Sequence, residues 1–574
     1  MALAHFSTVE TVSVTPRTDR PSIDLGAAPA DPRLTSAADT IDCLRDAVLP
    51  WRRIGGETVV LSDRPWLDPA RHRALTDRLG PIRLSRCAPG AAEAALVGRF
   101  GPALARDAEQ RVPLAQSCRG WDHRRAAGTA MRAVAVLVLA TAFFPLATAL
   151  VLLGWCVLTL VCGTALKIAA AVIDLVCPRH TGPVAASPEP AHLPVVSLLV
   201  PLYREREVAA HLLTRIDGLD YPRDRLDLCL VLEDDDQLTR VALAEATLPP
   251  WARVIEVPQG TLRTKPRALN YALRRARGTI VGIYDAEDTP APDQLRRIVQ
   301  RFAERGADVA CLQGMLDYWN ARSNWIARCF AIEYATWFRL ILPGLDRMGL
   351  VVPLGGTTLF LRRDAIEAVG GWDAHNVTED ADLGLRLARA GYRTELIDSV
   401  TMEEANARAW PWVRQRSRWL KGYAMTWRVH MADPVALWRD IGGWRFFGVQ
   451  VLFLGTFSQF LLAPVLWSLW LVLLGLPHPL DGVVPPAALW TLGLTFLVAE
   501  AASLAVAALA VRRSGRPWLA LWAPAMQVYF PLATLAAWKA LSETLTRPFY
   551  WDKTSHGHYL AMSVPPAPEA TAGA

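Results

Sequence analysis

The chain has 574 residues, too many for one compact core, and 52% of them are hydrophobic against 20% charged. The apolar residues fall in long runs, which excludes an ordinary soluble globular protein. The formal charge of +6 comes with no basic tract, which excludes nucleic acid as a partner.

Residues 1–38, with Pro16, Pro21, Pro29 and Pro32 and little to bury, predict a disordered start, and residues 1–40 lack the apolar core of a cleavable leader. Residues 41–116 change character: strand-like RRIGGETVVLS is followed by helix-like DPARHRALTDRLG and AAEAALVGRFGPALARDAE, predicting a small α/β module.

Residues 129–177 are apolar for far longer than the ~20 residues of one span. Arg124 and Arg125 precede this run and Arg132 lies at its start, and Lys167, Arg179 and His180 mark its far end. Positive charge at both ends predicts an in–out–in hairpin turning near 153–155, with both flanking domains cytoplasmic.

Residues 195–425 read as a soluble α/β domain. VVSLLVPLY, LDLCLVLED and TIVGIYDAED are buried strands, and KPRALNYALRRARG is an amphipathic helix. Alternating strands and helices predict an open, mostly parallel sheet with its ligand crevice along the strand C-terminal edge. Apolar runs return over 444–545, interrupted by Pro464, Pro524 and Pro531, and predict membrane and interfacial helices; RRSGR between the last two runs predicts a cytoplasmic loop. Glu500 falls inside such a run, where it either lines a channel or lies near an interface. Residues 546–574 form a tail. The nine cysteines are scattered without a CxxC pair and read as reduced, mostly buried and non-catalytic.

Four stations carry the chemistry. EDDDQLT ends a strand and predicts Asp235 and Asp236 projecting into the crevice, where clustered acids require a cation or a hydrogen-bonding ligand. YDAED ends another strand and offers Asp285, Glu287 and Asp288 as hard oxygen donors suited to Mg²⁺ or Mn²⁺ bridging a diphosphate. TED sets Asp380, beside Glu379, at a helix N-terminus, where a carboxylate stays ionised and can accept a proton from an attacking hydroxyl. QRSRW brings Gln415, Arg418 and Trp419: a cation for diphosphate and an indole to stack under a sugar. Singly, each reads as a solvated loop, a helix cap or a membrane-interface anchor; their order within one α/β domain flanked by apolar runs makes coincidence a poor account.

That constellation resembles the family 2 glycosyltransferases of the cellulose synthase type, whose pattern is Asp, DxD, TED and QxxRW on a GT-A fold. PLYRE, KPRALNYAL and GGTTLFLRRDAIEAVGGWD match further. The resemblance implies an α/β GT-A domain between transmembrane helices and a multi-pass protein of the bacterial inner membrane with its catalytic domain cytoplasmic. It implies an inverting, processive transfer from a UDP-linked nucleotide-sugar to a growing polysaccharide, with export. Transfer to a lipid-linked acceptor, or an inactive scaffold that kept the fold, are the alternatives. It assigns nucleotide-sugar contacts to Tyr203, Glu205, Asp235, Lys265, Asp285, Arg418 and Lys553, metal to Asp285 and Glu287, the base to Asp380 with Glu379, and acceptor contact to Trp419 and Gln415. The family's DxD reads Asp-Ala-Glu here, leaving Glu287 and Asp288 as alternative metal ligands. FYWDKTSHG resembles the family's gating segment, with Lys553, Thr554 and His556 at the diphosphate. The module, through LPWRRIGGETVVLSDRP and LVGRFG, resembles the N-terminal domain of type II secretion ATPases, which implies either a cyclic di-GMP site or a docking surface for a protein partner.

Overall fold

In the computed structural model the described residues are 23–62, 67, 69–177, 193–205 and 208–550. The gating segment beyond Tyr550, with Lys553, lies outside them.

The module begins earlier than the sequence pattern predicts. Ile23 bridges to Cys87 and the Trp51 indole donates to the Ala28 carbonyl, so residues from 23 on are packed against the module. It comprises α1 (Ala37–Asp46), β1 (Val48–Ile54), β2 (Glu57–Ser62), α2 (Pro69–Leu79), β3 (Ile82–Arg86) and α3 (Ala91–Gln110), with strand order β1-β2-β3. Ser36 and Asp39 form a reciprocal capping box that satisfies the free amides at the start of α1.

The apolar run becomes α4 (His123–Phe143) and α5 (Pro145–Val176), broken at Phe144 and not near 153–155. The physical reason is Pro145, which has no N–H to donate and fits only the first turn of a new helix. Lys167 is also not a flank: α5 continues nine residues past it, and its side chain faces an internal cavity. Among the described residues three helices are long and apolar enough to cross a membrane, α4, α5 and Pro486–Arg513. Two further pairs pass the same test but are bent, Pro434–Leu461 with Ala463–Leu473 by 66° and Pro517–Tyr529 with Pro531–Thr546 by 45°.

Between these helices lies the α/β domain: β4 (Val196–Leu202), α6 (Val208–Asp217), β5 (Leu226–Glu233), α7 (Gln237–Glu245), β6 (Ala252–Val257), α8 (Lys265–Arg275), β7 (Ile280–Ile283), β8 (Thr289–Pro290), α9 (Gln294–Glu304), β9 (Val309–Tyr318), α10 (Trp325–Thr336), α11 (Leu342–Arg347), β10 (Leu359–Arg362), α12 (Arg363–Ala368), α13 (Glu379–Arg389), β11 (Arg393–Glu403) and α14 (Ala409–His430). The sheet order is β6-β5-β4-β7-β10-β9-β11-β8. It is mixed: β10 runs antiparallel to β7 and β9, β8 runs antiparallel to β11, and the other pairings are parallel.

β5 shows why the strands are nearly all apolar. Leu226, Leu228, Leu230 and Leu232 enter one core, while Cys229 and Val231 enter the core on the opposite face. A strand covered on both sides has no polar face, and each fully buried leucine contributes about 1.5–3 kcal/mol.

The domain and the membrane helices interlock. Asp174, buried near the end of α5, accepts from Arg347 of α11 at 2.6 Å and from Arg513 at the end of Pro486–Arg513. A Cβ on Gly344 would lie 2.4 Å from the Cα of Ala170, so α11 meets α5 backbone to backbone.

Candidate active site

The parallel strands β5 and β7 end on one edge of the sheet, and the turns that follow them are the acidic stations. A cavity of about 890 Å³ opens there and continues between the apolar helices, lined at one end by Asp285, Glu287, Glu379 and Asp380 and at the other by Lys167, Gln459, Glu500 and Gln527.

Lys265, the first residue of α8, sits at the centre of the acids. Its Nζ donates to Asp285 Oδ1 at 2.5 Å and to the Gly356 carbonyl at 2.8 Å. Burial alone would lower its pKa, but Asp285 and then Glu379 outweigh that and hold it above the usual lysine value. Gly356 separates Lys265 from Asp380: a Cβ there would lie 3.2 Å from Asp380 Oδ2 and 3.8 Å from Lys265 Nζ.

Asp380 is half-buried at the start of α13, and its Oδ1 accepts from the Ala381 amide at 2.8 Å. Burial raises its pKa, opposed by that amide and by the charges of Lys265 and Arg418. The helix N-terminus therefore does not by itself keep the carboxylate at its ordinary acidity, and a raised value brings a general base nearer to neutral pH. Glu379 beside it is buried, and burial followed by the Asp380 charge pushes its pKa to about 7.

Asp288 and Asp236 do not face the cavity. Asp288 is fully buried; its Oδ2 accepts from the Asp285 amide at 2.8 Å and from the Thr357 hydroxyl, which fixes the turn that presents Asp285 and Glu287. Burial, then Asp285 and Glu287, push its pKa well up. Asp236, expected in the crevice, is 3% exposed and caps α7, accepting from the Arg204 amide at 2.6 Å and the Thr239 hydroxyl at 2.7 Å. The intervening Asp235 is the outward acid, but Arg263 holds it at 2.6 Å on the rim, outside the residues that line the cavity.

Tyr203 and Glu205, after β4, line the cavity, as do Gln415, Arg418 and Trp419 on α14. The Trp419 ring lies 6.2 Å from both Phe330 and Tyr334, with the Arg416 guanidinium 4.6 Å from its centroid. Gln415 accepts from Asn406 at 2.9 Å. A Cβ on Gly422 would lie 2.1 Å from the Thr378 hydroxyl, so α14 closes directly on the residue before Glu379.

Three further acids line the cavity without having been singled out in the sequence. Glu403 ends β11, which pairs with β8 and so comes beside the 285–288 turn; burial, then Asp288 and Glu287, push its pKa far up. Glu233 ends β5 and pairs with Arg267 at 2.8 Å. Glu333 on α10 accepts from Arg416 at 2.5 Å and from the Tyr529 hydroxyl at 2.8 Å. Glu233 had a visible signal, its position at the end of an apolar strand. Glu403 and Glu333 had none beyond their charge.

Among the described residues no group of three or more His, Cys, Asp or Glu is arranged to hold a metal. Asp285 and Glu287 alone suit a hard cation such as Mg²⁺, which is commonly held by one or two carboxylates and completed by phosphates and water.

Residues 194–422 match the family described as "Glycosyltransferase like family 2". The chain is 28% identical over 299 residues to the beta-monoglucosyldiacylglycerol synthase of Synechocystis sp. (strain ATCC 27184 / PCC 6803 / Kazusa), covering 50% of this chain and 60% of that one. It is 28% identical over 233 residues to the probable glycosyltransferase YdaM of Bacillus subtilis (strain 168), with 40% and 55% covered. It is 26% identical over 296 residues to the cellulose synthase 1 catalytic subunit [UDP-forming] of Komagataeibacter xylinus, with 50% and 38% covered. The chain thus spans 60% or less of the length of each of these three relatives. A solved structure, the mannosyltransferase PcManGT from Pyrobaculum calidifontis in complex with GDP-Man and Mn2+, aligns with a TM-score of 0.42 and 21% identity over 65% of this chain and 99% of that one. The matched segment is similar to family 2 glycosyltransferase domains and folds as a mixed-sheet α/β domain set among apolar helices; the N-terminal module lies outside it.

Proposed function

We propose that the chain is an inverting glycosyltransferase of the bacterial inner membrane, which adds sugars from a UDP-sugar to a growing polysaccharide on the cytoplasmic face and passes the product outward. The observation that carries this reading is the continuity of one cavity from Asp285 and Asp380 to Lys167 and Glu500 among the apolar helices. Ionisable and amide side chains at membrane depth are costly unless they line a polar path, and a glycan presents hydroxyls along its whole length.

In the proposed reaction Asp380 accepts the proton of the acceptor hydroxyl as its oxygen attacks the anomeric carbon, and the nucleoside diphosphate leaves from the opposite face. Asp285 and Glu287 would hold Mg²⁺ or Mn²⁺, which when bound neutralises the leaving diphosphate. Lys265 and Arg418 add positive charge on the same side, Tyr203 and Glu205 hold the nucleotide from the cavity wall with Asp235 reaching it from the rim, and Trp419 with Gln415 forms the floor for the acceptor sugar. The base contributes a factor of about 10²–10⁴.

Transfer to a lipid acceptor is the second reading. It is supported by the similarity to a beta-monoglucosyldiacylglycerol synthase and by the apolar residues Leu504 and Phe530 in the inner part of the cavity. Product length separates the two: purified protein in detergent, given radiolabelled UDP-sugars and Mg²⁺ or Mn²⁺, makes a long polymer under the first reading and a single-sugar glycolipid under the second. No UDP release with any UDP-sugar would refute both.

A further inference from the structure

The cavity wall facing the acids is built partly by residues 258–264, which join β6 to α8, and four of these residues, Thr261, Leu262, Arg263 and Thr264, line the cavity. The segment is held from outside its own domain. Glu109, on α3 of the N-terminal module, is 5% exposed, and its Oε1 accepts from the Thr261 amide at 2.7 Å and the Leu262 amide at 3.1 Å. Its Oε2 accepts from the Thr261 hydroxyl at 2.7 Å, and Arg267 Nε lies 3.3 Å from Oε1. A Cβ on Gly260 would lie 2.3 Å from Glu109 Oε1, so the backbone closes tightly on the carboxylate.

A buried carboxylate is tolerated only when paired and hydrogen-bonded, and removing it strands the buried donors that faced it. Three donors and one guanidinium converge on Glu109, and the segment they fix carries Arg263, which holds Asp235, and leads into Lys265, which holds Asp285. We infer that Glu109 is a positioning residue for the nucleotide-sugar: the module completes the donor pocket by setting the conformation of residues 258–264. This deepens the glycosyltransferase reading and rests on it for the identity of the ligand.

The test compares three variants of the full chain in detergent. Glu109→Ala is expected to weaken UDP binding, measured by calorimetry, and to raise the KM for the UDP-sugar, both by about tenfold, with kcat within about twofold. Glu109→Gln retains an acceptor oxygen for both amides and is expected to return both values to within about threefold of the parent. Asp107→Ala removes a different contact between the module and α8, the ion pair with Arg274 at 3.2 Å, and is expected to leave UDP affinity unchanged. Amide hydrogen exchange across 259–264 is expected to be faster in Glu109→Ala and unaltered in Asp107→Ala, a readout independent of nucleotide. If Glu109→Ala does not fold, Glu109→Asp, which draws the charge back by one methylene, carries the same comparison. Parental UDP affinity and exchange in a folded Glu109 variant would overturn the inference, as would equal weakening by Asp107→Ala. If the parent binds neither UDP nor GDP, the nucleotide-sugar reading fails, while the exchange comparison still decides whether Glu109 sets the segment.

Discussion

Lys265 Nζ lies 2.5 Å from Asp285 Oδ1, so an ammonium already compensates the carboxylate proposed to hold the metal. The same ammonium stabilises ionised Asp380 from the other side of Gly356. Lys265→Met should therefore shift the acid limb of the pH profile as well as slow the enzyme. In the proposed mechanism Asp380 works only when ionised, so activity is expected to be lost as pH falls through its pKa. Burial raises that pKa, while Lys265 and Arg418 hold it down, with Glu379 and Tyr423 as the other titratable neighbours. Removing Lys265 should move the loss to higher pH in a plot of kcat/KM. An unmoved acid limb would separate Lys265 from the base.

Asp380→Asn is expected to cut transfer by about 10²–10⁴-fold while leaving UDP binding near the parental value. Radiolabel incorporation and calorimetry on one preparation measure both. Retained turnover removes Asp380 from the role of base.

Asp288→Asn should be nearly silent, because an amide oxygen can accept from the Asp285 amide and the Thr357 hydroxyl as the carboxyl does; the expected cost is about 1 kcal/mol or less. Glu287→Gln and Asp285→Asn should instead raise the Mg²⁺ or Mn²⁺ concentration needed for half-maximal UDP release, and EDTA should abolish release in the parent. A metal titration of the three variants checks this, and a large metal shift in Asp288→Asn alone would reverse the assignment.

Gly422→Ala forces α14 away from Thr378 and so disturbs the start of α13. The expected cost is about 1–3 kcal/mol, with a larger loss of kcat than of UDP affinity. Thermal unfolding in detergent together with kinetics tests it; a variant with parental stability and rate would mean that the contact relaxes freely.

The legible parts of the sequence were those set by local periodicity and strand ends. The end of the apolar strand β7 puts Asp285 and Glu287 on one edge of the sheet, Asp380 reaches them from the start of α13, and the TED and QRSRW stations meet across Gly422 and Thr378. Side-chain direction within an acidic run was not legible: Asp235 and Asp236 differ by one position, yet one is on the rim and the other caps α7. Glu403 reaches the site only through the pairing of β11 with β8, a contact distant in sequence. Glu109 was invisible for the same reason, since nothing in RDAEQ signals a partner 152 residues on. The break at Phe144 was legible in principle from Pro145 and was overridden by the length of the apolar run.

The contact of Asp174 with Arg347 and Arg513 bears on how such proteins diversify. A recombination event that moved residues 194–422 onto another set of apolar helices would carry Arg347 but leave behind both Asp174 and Arg513. It would also set Gly344, where no side chain fits, against whatever replaced Ala170. Viable chimeras are therefore expected to inherit α5 and the helix ending at Arg513 together with the α/β domain, making these three segments one heritable unit despite their separation along the chain.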